Sequence, residues 1–423
     1  MKVAFVSQPI DPVFPRSKNS MGIWICEVAN RLTSSCEVIV YTKMGQDRKQ
    51  LECYDGVAYR RLPRLQDLRT FNELRALLKR FKVSNNVRRP PFASFFYSLD
   101  YTFQVARDLR AQQCDVVHIL NYSNLVPLIR AFNKKIKIVL HMQCEWLTQL
   151  DRKMIERRLR QVDLIVGCSD YITEKIRLAF PEFALRCHTV HNGVDVDQFT
   201  RENGNNGRKQ NDSKELLFVG RVSPEKGVHV LIDALRIVTQ HYPKARLKIV
   251  GSNGRVPMGF IVALSDDEKV AGLSLFYDGK DYNTHLQEKL SSLNIERHAT
   301  FAGSAHHSEV VNYYREADVL VNPSLSESFG MSLVEAMSCQ VPVVATRVGG
   351  MQEIVRGSEA GLLVEPGDPQ ALAEAIVRVL SQDELRKAMG KAGRQRAVEL
   401  FSWDRIAERM LGYYQNICEC QAN

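Results

Sequence analysis

No C-x-x-C pair occurs among the ten cysteines, and only Cys418 and Cys420 lie close together. That scatter argues against a zinc ribbon and a disulfide framework. It fits reduced thiols in a cytoplasm, with Cys418-Glu-Cys420 read as a free-thiol pair. Apolar runs never approach the ~20 residues of a membrane-spanning helix. The opening "MKVAFVSQPIDPVF" lacks the basic start and long apolar centre of a signal peptide and reads as a first β-strand. Low-complexity tracts are absent. No predicted strand is followed by G-x-G-x-x-G, and "VGSNGRVPMG" fails the pattern, which argues against an NAD-dependent enzyme. What is left is an ordinary globular composition, 45% hydrophobic and 25% charged over 423 residues. That length is too great for one core and points to two α/β domains.

The net charge of +9 is concentrated rather than spread. Residues 60–89, "RRLPRLQDLRTFNELRALLKRFKVSNNVRR", hold ten Lys/Arg against Asp67 and Glu73, leaving +8 in that run. Leu68, Phe71, Leu74, Leu78 and Phe81 recur at helical spacing, so the segment is expected as a basic amphipathic helix. Two readings stand: a helix lying on an anionic membrane surface, or one packed on its own domain with a solvated basic face. Nucleic acid is not expected, since no binding module accompanies the patch.

Strand-like and helical segments alternate along the N-terminal part: "KVAFVS", "GIWICEVANRL", "CEVIVYT", "DVVHIL", "KIKIVLHM", "VDLIVGCS" and "CHTVHNGV". This is the pattern of a parallel sheet with helices on both faces. Near residue 200 the polar "TRENGNNGRKQNDSKE" reads as a linker. A second series runs from "ELLFVG" through "RLKIVGS", "HATFAG", "DVLVNPS", "VPVVAT" and "GLLVE" to helices in 369–401 and a last helix in "SWDRIAERMLGYYQNIC". Residues 253–280 have no place in the alternation and read as an inserted loop or helical excursion.

Two segments carry chemistry. In "LLFVGRVSPEKGVHVLIDAL", Arg221 and Lys226 flank a loop after a strand, with Ser223 and Pro224 as expected N-cap and first residue of the next helix. Two cations beside a helix N-terminus make an anion site. In "ESFGMSLVE", Glu327 and Glu335 stand eight positions apart around Phe329-Gly330. On a helix, eight steps separate two positions by ~12 Å and rotate them by roughly 80°. Carboxylates sharing one glycosidic bond sit about 5–9.5 Å apart. This pair therefore suits two ends of one long ligand: ribose at Glu335, a sugar at Glu327, and phosphates over the amides from Phe329 to Leu333.

The segment resembles the E-x7-E motif of the retaining glycosyltransferases of family 4, which have the GT-B fold. "FVGRVSPEKG" is similar to that family's diphosphate loop, "VHNGVDVDQF" to its interdomain strand, and "NYYREADVLVNPS" and "PVVATRVGGMQEIV" continue the pattern. The resemblance is fullest over residues 188–235 and 297–400 and does not extend to the insertion. It implies two Rossmann-like domains facing a central cleft: 1–197 on the acceptor side, joined by a C-terminal helix 402–423 that crosses back, and 198–401 binding the nucleotide sugar. By resemblance, Arg221 and Lys226 bind the diphosphate and stabilise the leaving group. Glu335 and Leu333 lie at the nucleotide, with a backbone contact near Ser304 facing the base. Glu327 and the backbone at Phe329, Gly330 and Met331 hold the transferred sugar. His141, ending the strand "KIKIVLHM", stands near the donor sugar. Gly22 matches the glycine-rich first loop on the acceptor side, although the family often has two adjacent glycines where this chain has Ser20-Met21-Gly22.

These expectations describe a retaining transfer in which cations and amides replace a metal ion, and no cofactor is expected. Asp195-Val-Asp197 mimics a D-x-D metal motif but sits beside the linker and is read as structural. The expected donor is a nucleoside-diphosphate sugar, first UDP-glucose. The expected acceptor is a saccharide or lipid-linked saccharide of cell-surface polysaccharide or glycolipid synthesis. The expected place is cytoplasmic, peripheral on the inner face of the membrane. The rivals are a non-catalytic membrane-associated component of a polysaccharide-assembly complex and a GT-B nucleotide-sugar epimerase.

Overall fold

The structure, a computed structural model, describes residues 1–10, 12–14, 19–45, 49–63, 86–201, 213–254, 256–356 and 359–419. Two compact units emerge: Met1–His191 with Trp403–Asn423, and Asn192–Ser402. The division falls earlier than the expected 197/198 boundary because residues 192–199 are tied into the second unit. The Val194 amide donates to the Phe401 carbonyl at 2.7 Å, and Arg394 Nη1 donates to the carbonyls of Val196 at 2.7 Å and Phe199 at 3.1 Å. Asp195 Oδ1 accepts from the amides of Asp197 and Gln198, so it closes a turn. Most of the expected linker lies outside the described residues.

The first unit is built on β1 (Lys2–Val6), β2 (Glu37–Lys43), β3 (Leu51–Tyr54), β4 (Val57–Leu62), β5 (Val116–Leu120), β6 (Lys137–Met142), β7 (Leu164–Gly167) and β8 (Cys187–Thr189). Their order is β3-β4-β2-β1-β5-β6-β7-β8, parallel except for the β3–β4 pair. Residues of β1, β5 and β6 are almost wholly buried, as expected of strands covered on both faces. Connecting helices are α1 (Ser20–Leu32), α2 (Leu99–Gln112), α3 (Val126–Phe132), α4 (Arg152–Leu159) and α5 (Asp170–Ala179). The C-terminal helix Trp403–Glu419 packs on α1, where Arg31 pairs with Asp404 at 2.5 Å.

The β3–β4 hairpin corrects part of the basic-helix expectation. Arg60 and Arg61 lie on β4, where Arg60 pairs with Asp108 at 2.5 Å and the fully buried Arg61 faces Glu52. Arg89, near the other end of the run, pairs with Asp151 at 3.0 Å. Residues 64–85, which hold the expected helical face, lie outside the described residues.

The second unit carries β9 (Glu215–Val219), β10 (Arg246–Val250), β11 (Ala299–Gly303), β12 (Val319–Asn322), β13 (Val343–Thr346) and β14 (Gly361–Val364) in the order β11-β10-β9-β12-β13-β14, all parallel. Helices are α6 (Val228–His241), α7 (Tyr282–Ser292), α8 (His307–Glu316), α9 (Met331–Ser338), α10 (Met351–Val355), α11 (Pro369–Ser381) and α12 (Asp383–Phe401). On α6, Val228, Leu231, Ile232, Leu235 and Val238 follow helical spacing and enter the core with Leu216, Ile249, Val321 and Ile376. The 253–280 stretch forms short helical turns. Its Val262, Val270 and Leu273 enclose Leu325 in a small satellite cluster.

Each sheet has one place where the strand order reverses direction. In the first unit it lies between β1 and β5, in the second between β9 and β12. The loops leaving the carboxyl ends of those strands part to opposite faces there, which is where α/β sheets bind ligands.

Candidate active site

The loop after β9 differs from its expected form. Pro224–Lys226 is a separate short turn, Gly227 follows with φ +69°, and the long helix starts only at Val228. Ser223 is therefore not the cap of α6. Its hydroxyl donates to Glu225 Oε1 at 2.6 Å and lies 3.2 Å from Arg221 Nε, while Arg221 Nη2 donates to the same Oε1 at 2.8 Å. Glu225 is buried, and burial alone would raise its pKa. Arg221, Ser223 and Lys226 overcome that and hold it below the usual carboxylate value. Glu225 is thus the anchor of Arg221, a residue that sequence reasoning missed. Its only signal was the i to i+4 step from Arg221 inside the loop.

Gly227 brings this loop against the loop after β12. A Cβ there would stand 2.1 Å from the Pro323 carbonyl oxygen. The Leu325 and Ser326 amides donate to the Glu225 carbonyl at 2.8 and 3.3 Å, and Lys226 Nζ meets Glu327 Oε2 at 2.6 Å. Both side chains of that pair are largely shielded, at 18% and 17% exposure, so water screens it less than a surface pair. The two segments singled out in the sequence thus form one site at the strand-order reversal. An ammonium has three N–H bonds, so this contact leaves two for another anion.

Gly330 has φ +107°, and a Cβ there would meet Met351 Cγ at 3.0 Å. That turn starts α9, whose first-turn amides at Met331 and Ser332 have no partner within the helix. Leu333 departs from expectation: its amide donates to the Gly330 carbonyl at 3.0 Å and is spent inside the turn. Phe329 is buried against the Phe401 ring, so only its backbone is suited to a ligand. Glu335, on the same helix, is buried, and its Oε2 accepts from the Tyr314 hydroxyl at 2.6 Å. His307 Nδ1 stands 4.0 Å from the other oxygen. Burial raises the Glu335 pKa against the lowering influence of His307 and Tyr314. Ser304 is exposed just past β11, three residues before His307.

At the reversal in the first unit the polar groups are neutral. His141 near the end of β6 is fully buried, with Nδ1 3.1 Å from His118 Nε2 and Nε2 3.0 Å from the Gln143 amide. His118 Nδ1 in turn lies 2.7 Å from the Tyr414 hydroxyl of the C-terminal helix. The Trp24 ring packs edge-on against His141 at 4.6 Å. Burial lowers the His141 pKa to about 3, and burial together with His141 lowers that of His118 well below its ordinary value. Both rings are therefore neutral at pH 7. Gly22 lies in the first turn of α1, not in the expected loop, and its amide donates to the cap Asn19 Oδ1 at 2.7 Å.

With this geometry in view, the comparisons with known proteins decide the family. The model described as "Glycosyltransferase Family 4" matches residues 21–198, and "Glycosyl transferases group 1" matches 199–396. The chain belongs to the family 4 glycosyltransferases. This glycosyltransferase is 30% identical over 274 residues to a D-inositol 3-phosphate glycosyltransferase of Corynebacterium urealyticum, a match covering 63% of this chain and 60% of the relative's length. It is 28% identical to the putative glycosyltransferase YtcC of Bacillus subtilis, over 75% of this chain and 76% of the relative. Among solved structures, sucrose-phosphate synthase from Thermosynechococcus elongatus superposes with a TM-score of 0.72 at 21% identity, covering 99% of this chain and 100% of the other. Anabaena Alr3699/HepE in complex with UDP and glucose superposes with a TM-score of 0.67 at 19% identity, covering 98% and 99%. The fold is GT-B.

Proposed function

We propose that this glycosyltransferase moves glucose from UDP-glucose to a saccharide or lipid-linked saccharide acceptor, with retention of configuration and without a metal ion, in the synthesis of a cell-surface polysaccharide or glycolipid. The observation that carries the reading is the Lys226–Glu327 pair at the β9/β12 reversal, with Arg221 held beside it by Glu225. The C1–O bond to the diphosphate breaks, negative charge builds on the phosphates, and positive charge builds on the sugar. Lys226, Arg221 and the free amides starting α9 supply fixed positive charge where the phosphates gain negative charge. Glu327 accepts from sugar hydroxyls while its other oxygen holds Lys226 in place. Glu335 accepts from the ribose hydroxyls through the oxygen that Tyr314 leaves open, and the backbone near Ser304 faces the base. The acceptor hydroxyl bonds to C1 on the face that the phosphate leaves, and its proton passes to the departing phosphate oxygen.

UDP-glucose is supported by the fold match to a protein solved with UDP and glucose. A phosphorylated polyol is the second acceptor class, because a relative is named for D-inositol 3-phosphate. Among the described residues no helix is long and apolar enough to cross a membrane. An anionic membrane surface remains the proposed contact of residues 60–89, with Arg60, Arg61 and Arg89 already committed to internal carboxylates. The place proposed for the enzyme is cytoplasmic and peripheral to that surface.

The test is a panel of nucleotides and nucleotide sugars scored for protection against thermal unfolding, since a ligand stabilises by RT ln(1 + [L]/Kd). UDP-glucose is expected to protect most. A panel in which no nucleoside diphosphate protects would overturn the assignment. UDP-glucose hydrolysis without acceptor separates an enzyme from a non-catalytic assembly component.

A further inference from the structure

The stretch 253–280, which has no place in the strand–helix alternation, touches both charged loops of the second unit. At its start the Val222 amide donates to the Ser252 carbonyl at 3.0 Å, and Val222 bridges Asn253. The turn Gly272–Phe276 packs against the turn Pro224–Lys226. The Phe276 ring then lies 4.8 Å from His229 and 5.3 Å from Tyr282. The Tyr282 hydroxyl oxygen accepts from the His229 amide, in the first turn of α6, at 3.3 Å. The loop that carries Arg221, Glu225 and Lys226 is thus held at its beginning, middle and end.

The other loop is held through one side chain. Leu325 is 7% exposed, and its neighbours in the satellite cluster are Val262, Val270 and Leu273. The Leu325 amide donates to the Glu225 carbonyl at 2.8 Å, one residue before Lys226, and Glu327 follows two residues after Leu325. From the same stretch Lys269 Nζ donates to the Pro366 carbonyl at 2.7 Å, in the loop after β14. None of the four apolar side chains belongs to the main core cluster of the second unit. Truncating one of them therefore loosens Leu325 without emptying the core around β9 and β12. A displacement of about 1 Å at a reacting group can cost about 10²-fold in rate, so a loose Leu325 matters to the Lys226–Glu327 pair.

We propose that residues 256–280 are a positioning element: Val262, Val270 and Leu273 seat Leu325, and Leu325 sets the spacing of Lys226 and Glu327. The chemistry being positioned rests on the proposed function; the seating does not. The test is Leu273→Ala in the full chain, with Leu273→Met as the conservative control. Deuterium exchange is expected to quicken at least about tenfold at the Leu325 and Ser326 amides, with β9 and β12 as protected as in wild type. UDP-glucose hydrolysis without acceptor should lose about tenfold in kcat, because the spacing counts most where charge develops. Leu273→Met should restore both. Unchanged exchange at these two amides, or exchange that rises equally in β9 and β12, overturns the seating. Faster local exchange with an unchanged kcat overturns the positioning role. Wild-type protein that does not turn over UDP-glucose would overturn the proposed function, and exchange would still decide the seating.

Discussion

The two strand-order reversals of this chain are built from opposite materials. In the second unit the loops carry Arg221, Glu225, Lys226 and Glu327 in ion pairs of 2.6–2.8 Å, forced together by a glycine against a carbonyl. In the first unit the same topological position holds two neutral imidazoles, a tyrosine and an indole, all fully buried. Fixed charges left partly in contact with solvent suit an anion that must arrive and leave. A buried row of neutral groups has no charge to offer an anion. Under the proposed function, the phosphate work belongs to the charged loops of the second unit.

The comparison breaks most visibly at Lys226. Removing one preorganised donor at developing charge typically costs about 10²–10³ in rate. Lys226→Ala should therefore lower kcat/KM by about that factor in a steady-state transfer assay, while His118→Asn should cost less. Next is Gly227→Ala, which places a Cβ against the Pro323 oxygen and asks a non-glycine residue to hold φ +69°. A loss of about 3 kcal/mol of stability is expected in denaturant titration, with the two loops driven apart.

The pH response sharpens the contrast. His118 and His141 refuse in the folded state a proton that the unfolded chain accepts near pH 6.5, so their contribution is present above that pH and is lost below it. Acidification below about pH 6.5 should therefore destabilise the fold through both rings. The second unit has His229, whose pKa burial lowers to about 4. Thermal unfolding followed between pH 7.5 and 5 should show a shallower slope in His118→Asn than in wild type, whatever the offset between them.

A smaller effect, about tenfold in UDP affinity, is expected for Glu335→Ala. Glu327→Ala should instead slow transfer more than it weakens UDP binding. Because burial raises the Glu335 pKa, UDP affinity should begin to fall on acidification at a higher pH than an ordinary glutamate would dictate. Equal behaviour of the two glutamate variants would contradict their division of labour.

Both βαβ series were legible because buried parallel strands read as continuous apolar runs and α6, α9 and α12 keep helical spacing. The pairing of the E-x7-E segment with the Arg/Lys loop was legible too, since each followed a predicted strand. The β3–β4 hairpin was missed although Asp55-Gly56, with φ of +47° and +79°, is a strong two-residue turn signal. The charge run beginning at Arg60 masked it. Glu225, Tyr314 and His118 escaped because their roles depend on a partner that only tertiary folding brings near. For Tyr414 that partner lies 296 positions away in the chain.

The most direct test of the division between the two units is UDP calorimetry on three proteins. Wild type and His118→Asn should bind UDP with the same affinity, and Lys226→Ala should bind it at least about tenfold more weakly. Loss of UDP binding in His118→Asn with wild-type affinity in Lys226→Ala would contradict the account.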